Sequence, residues 1–72
     1  MRIKAIVGSN YHHNHKKKVY AEINAIDWLV YQDGLEHCSS EQYDDAWNNI
    51  CDAIEAQNDL PYYWYVDRIQ EA

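Results

Sequence analysis

At 72 residues, 47% of them hydrophobic, and with a formal net charge of −6, the chain has the composition of one folded domain and lacks an apolar run long enough to span a bilayer. A domain of this size retains only about 3–5 kcal/mol of net stability from its core and has little room for the sheltered carboxylate or deep cleft that catalysis needs. The two cysteines are too few for a disulfide scaffold, and the acidic balance opposes direct binding to nucleic acid or to an anionic membrane.

The charge is sorted along the chain. Arg2, Lys4, Lys16, Lys17 and Lys18 all fall within the first eighteen residues, whereas from Val19 onward twelve carboxylates face Arg68 alone, a local net charge of −11. The opening MRIKAIVG has neither the long apolar core nor the cleavage site of a signal peptide, so a cytoplasmic protein with Cys38 and Cys51 as reduced thiols is expected.

In chain order, Met1, Ile3, Ala5 and Val7 alternate with Arg2, Lys4 and Ile6, which predicts a strand ended by Gly8, Ser9 and Asn10. Residues 10–18, NYHHNHKKK, have no periodicity and are expected to form an exposed loop, the one basic face of the molecule. Val19, Ala21 and Ile23 alternate with Tyr20, Glu22 and Asn24 in a second predicted strand. Trp28–Gln32 gives a third, closed by the turn residues Asp33 and Gly34. Val19, Ile23, Ile26 and Val30 also fall at i, i+4, i+7 and i+11, so one helix capped by Gly34 is the alternative. Against it stand three lysines at the helix's positive pole and the β-branched content.

A helix is predicted next. Ser39 and Ser40 offer an N-cap, Gln42 completes a capping box with Ser39, and Tyr43, Trp47, Ile50 and Ile54 make an apolar stripe with Ala46, Cys51 and Ala53 beside it. Asn58 to Pro61 ends it. Tyr62, Trp64 and Val66 then alternate with Tyr63, Tyr65 and Asp67 in a last strand ending near Ile69. The expected class is α+β, one small domain over 1–72 in the order β-β-β-α-β, with a mostly antiparallel sheet and one helix on one face. The alternative order is β-α-α-β.

From Tyr20 to Glu55 the chain resembles the N-terminal domain of HicB-like antitoxins. Tyr20, Ala21 and Glu22 match that family's first strand, Val30 to Gly34 its second strand and turn, and Asp45, Ala46, Ile50, Ala53 and Ile54 its Glu-Ala-rich helix; Asn24 to Asp27 stand where the family has Pro and Gly. The resemblance implies an αβ domain that pairs with itself through edge strands and inhibits a ribonuclease toxin. In size and charge the chain also looks like the small phage inhibitors of host defence, anti-CRISPR proteins among them.

On the outer face of the predicted helix Glu41, Asp45 and Asp52 form one row and Asp44 and Glu55 another. Like charges one turn apart cost roughly 0.2–0.5 kcal/mol per pair, and Asp52 and Glu55 lie toward the negative pole, where the dipole disfavours them. A solvated face is the ordinary reading of such a row. The functional reading is a set of carboxylates that imitates phosphates and engages a Lys/Arg groove of a partner. The expected binding residues are Asp44, Asp45, Asp52 and Glu55, with Tyr62, Tyr63, Trp64 and Tyr65 as aromatic anchors, since Tyr and Trp dominate binding hot spots.

His12, His13 and His15, with His37 and Cys38, offer nitrogen and sulfur ligands but match no standard zinc spacing, so no metal or other cofactor is expected. With Lys16, Lys17 and Lys18 these three histidines define a weaker candidate, a basic loop for nucleic acid or metal. There is no G-x-S-x-G, P-loop, H-E-x-x-H or dinucleotide turn, and the expectation is a non-catalytic inhibitor of a basic, nucleic-acid-handling protein.

Overall fold

The alternation at the N-terminus sets the centre of the molecule. In the computed structural model, which describes residues 1–10, 15–60 and 63–72, β1 (Arg2–Ser9) pairs antiparallel with both β2 (Lys16–Glu22) and β3 (Trp64–Glu71), giving the sheet order β2-β1-β3. Ile3, Ala5 and Val7 are almost wholly buried on one face, as a middle strand with a covered face requires. Between β2 and β3 lie α1 (Ala25–Asp33), a 3-10 turn (Gly34–Glu36) and α2 (Ser40–Asn58). Their buried residues, Trp28 from α1 and Ile50 and Ile54 from α2, close the core against Val19, Ala21 and Ile23 of β2 and its end and Ile69 of β3.

The class is α+β, but the order is ββααβ, so both expected orders need correction. The predicted strand at Trp28–Gln32 is the helix α1. Its start is fixed by Asn24, whose side chain accepts the N–H of Ile26 at 2.9 Å, and its end by Gly34 at φ 69°, whose N–H reaches the Val30 carbonyl. Local capping outweighs the β-branched content. The single helix running from Val19 is also corrected, because Val19 to Glu22 remain in β2. The lysine triplet is not a loop either: Lys16, Lys17 and Lys18 are the first residues of β2 and face Gly8, Val7 and Ile6.

One irregularity shapes β3. Ile6 stands opposite Arg68 but Val7 opposite Val66, so β3 carries an extra residue at Asp67, a bulge. That slip brings Val66 and Ile69, three residues apart, to the same inner face, and the strand runs past Ile69 to Glu71.

The outer edge of β2 is partly occupied by the end of α2. Gln57 makes a two-way bond with the Glu22 backbone, accepting its N–H and donating to its carbonyl at 2.7 Å each, and Asn58 donates to the Tyr20 carbonyl at 2.8 Å. With one edge bridged by side chains and the other kinked by a bulge, little regular edge remains for strand pairing between copies.

The capping box at Ser39 is complete: Ser39 Oγ accepts the Gln42 N–H at 3.1 Å and Gln42 Oε1 accepts the Ser39 N–H at 2.9 Å. Ser39→Ala is expected to cost about 1 kcal/mol and to lower the melting temperature by about 4–8 °C in a thermal melt followed by circular dichroism.

Candidate functional site: an acidic helical layer

Residues 25–59 contain nine carboxylates and no Lys or Arg, while the rest of the chain has six cations against three carboxylates. The fold turns that division in sequence into two layers, helices on one side and sheet on the other. With Ala46, Ile50 and Ile54 turned into the core, the 3.6-residue period sends Glu41, Asp44, Asp45, Asp52 and Glu55 outward, and all five are exposed. Asn49 ties this face to α1, its side-chain N–H donating to Asp27 at 3.4 Å.

Beneath the carboxylates lies an aromatic array centred on Tyr31. Its ring stacks on Trp47 at 5.5 Å and on Tyr43 at 6.1 Å, and meets Trp28 tilted at 5.8 Å. Tyr31, Gln32, Gly34 and Tyr43 line an open cleft of about 520 Å³ at the junction of the helices. Burial first, and the neighbouring Tyr43 second, raise the Tyr31 pKa above the ordinary tyrosine value. Flat π-faces within a negative surface suit the side chain of an arginine or lysine. α1 also exposes Ile26 at 68% and Leu29 at 58%, apolar area that the fold itself does not use and that helical spacing turns away from Tyr31.

The same acidic face acts on Cys51. Burial, followed by the charges of Glu55 and Asp52, pushes its thiol up to about 11. In a Cys38→Ser protein the rate of Cys51 alkylation is expected to rise with a midpoint near pH 11. The raised folded value also means that stability from this group is intact below the ordinary thiol range and declines as pH climbs from about 9 towards 11.

The acids predicted for binding thus share one face, but the aromatic anchors do not join them. Trp64 packs against the core, with Lys17 over its ring at 4.9 Å and His15 against its edge at 5.8 Å. Tyr65, opposite Gly8, is exposed on the far side of the sheet. Strand alternation splits Trp64 from Tyr65, so these two do not form a single patch with the helix; Tyr63 is half-buried, and Tyr62, His12 and His13 lie outside the described residues. The aromatics that do accompany the acids are Tyr31 and Tyr43. Their signal is the helical spacing of Trp28 with Tyr31 and of Tyr43 with Trp47, which competes with the strand-like content of residues 28–32. Among the described residues no group of three or more His, Cys, Asp or Glu is placed to hold a metal ion, and the Cys38 thiol donates to the Gly34 carbonyl at 3.1 Å. Among the same residues no helix is long and apolar enough to cross a membrane.

Comparison of the chain with protein-family models, with curated proteins and with solved structures finds no match.

Proposed function

We propose that this chain is a non-catalytic binding protein whose acidic helical layer covers a cationic, nucleic-acid-handling site on a partner protein and so inhibits it, in the manner of phage inhibitors of host defence such as anti-CRISPR or anti-restriction proteins. The observation that carries the reading is the complete exclusion of Lys and Arg from residues 25–59 beside nine carboxylates. Stability does not ask for this: Glu55 and Asp59 sit at the negative end of α2, where cations are favoured and none is present. The carboxylates steer a basic partner to the surface, and the Tyr31–Tyr43 cleft gives it desolvated contacts. Strand pairing with a second copy, as an antitoxin would use, is opposed by the Gln57 and Asn58 bonds that bridge β2.

Affinity capture from a host lysate tests the reading. A basic nuclease or nucleic-acid-binding complex should be retained and should be displaced by added DNA competing for the same groove. Retention only of neutral or acidic proteins, indifferent to DNA, would overturn it.

A further inference from the structure

The sheet's other face has the opposite character. Reading across β2, β1 and β3, its rows are Lys16, Gly8, Tyr65; then Lys18, Ile6, Arg68; then Tyr20, Lys4, Gln70; and last Glu22 with Arg2. Five of the chain's six cations stand on this one face or its rim, with two tyrosines between them that are 45% and 42% exposed. The ion pairs of the described residues are Met1 with Glu22 and Lys16 with Asp67, which leaves Lys4, Lys18 and Arg68 without a carboxylate partner there.

The two rings are held ready. The Tyr65 ring lies over Gly8 so closely that a methyl group there would come within 2.6 Å of a ring carbon, so glycine is what lets the ring lie against the backbone. The Arg2 guanidinium sits 4.7 Å from the centre of the Tyr20 ring and supports it. Strand rise and spacing place the two tyrosines roughly 16 Å apart on a diagonal that passes over Ile6, with Lys18 and Arg68 flanking it in that row and Lys4 beside Tyr20.

We infer that this open sheet face binds single-stranded nucleic acid, the cations taking phosphates and Tyr65 and Tyr20 stacking on unpaired bases. Charge complementarity selects a polyanion, and exposed ring faces select one whose bases are not already stacked in a duplex. The net charge of −6 argues against such binding only when summed over the chain; the acids responsible are on the helical layer, across the sheet. A second copy's acidic helices would answer the same cations, and sedimentation separates that occupant from a single strand. This surface is independent of the acidic one, so either assignment can fail alone.

Fluorescence anisotropy with labelled twelve-nucleotide DNA and RNA single strands and a matching duplex reads the outcome. Binding of one or both single strands in preference to the duplex is expected, with affinity falling about twenty- to fiftyfold between 50 and 200 mM salt for three or four phosphate contacts. Tyr65→Ala should weaken it about tenfold, Tyr65→Phe should restore it, and Lys4→Gln/Lys18→Gln/Arg68→Gln should abolish it while circular dichroism remains native. Asp45→Asn/Asp52→Asn on the opposite layer should leave it intact. The inference is overturned if no single strand binds at 50 mM salt, if duplex binds equally well, if the folded triple variant binds as the intact chain does, or if sedimentation shows the face covered by a second copy.

Discussion

Ile50→Ala is expected to leave most of the chain unfolded at 37 °C. Ile50 is fully buried where α2 meets the sheet, in a core cluster that also holds Ile3, Ile54 and Trp28. Removing an isoleucine to the β-carbon in such a place costs about 2–5 kcal/mol, the lost transfer energy plus a cavity, against a total stability of about 3–5 kcal/mol for a domain of this size. Ile50→Val, at about 0.5–1.5 kcal/mol, should still fold cooperatively. Thermal melts of the two proteins check this. A well-folded Ile50→Ala protein with nearly unchanged melting temperature would mean that α2 is not what closes the core.

The second large effect concerns binding. Asp44→Asn/Asp45→Asn/Asp52→Asn/Glu55→Gln removes four exposed carboxylates that make no ion pair among the described residues. The fold should gain slightly, because like-charge repulsion along α2 and the unfavourable Glu55 in its last turn are relieved, the first worth a few tenths of a kcal/mol per pair and the second about 0.3–1 kcal/mol. Affinity for the basic partner should fall by at least about a hundredfold, with most of the loss in the association rate and in the salt dependence. Opposite signs for stability and affinity are the mark of a surface kept for binding. A merely solvated face would show the stability gain with affinity unchanged.

Much of the scaffold was legible in the residues. The alternation of Ile3, Ala5 and Val7 found the central strand, and the Ser39 and Gln42 box with the stripe through Ile50 and Ile54 found α2. The miss at α1 has a specific cause. Over nine residues with exposed Ile26 and Leu29, the apolar period is weak, and the decisive information was a cap, Asn24 with Asp27 three residues on, which is easily outweighed by Val and Ile content. The Asp67 bulge leaves no mark in the pattern, which announces only strict alternation along β3. For the site, the acid rows on α2 could be read directly because helical spacing fixes which residues share a face. The pairing of Tyr65 with Gly8, and of cations across three strands, could not, since register is a tertiary property.

The account rests on the helical layer, and not the sheet, being what a basic partner covers. Amide shift mapping by nuclear magnetic resonance, with the captured partner added to isotope-labelled chain, tests this most directly. The predicted result is perturbation concentrated in residues 25–58, strongest about Tyr31, Tyr43, Asp45 and Asp52, with the strands little changed. Perturbation confined to β1, β2 and β3, with α2 silent, would contradict it.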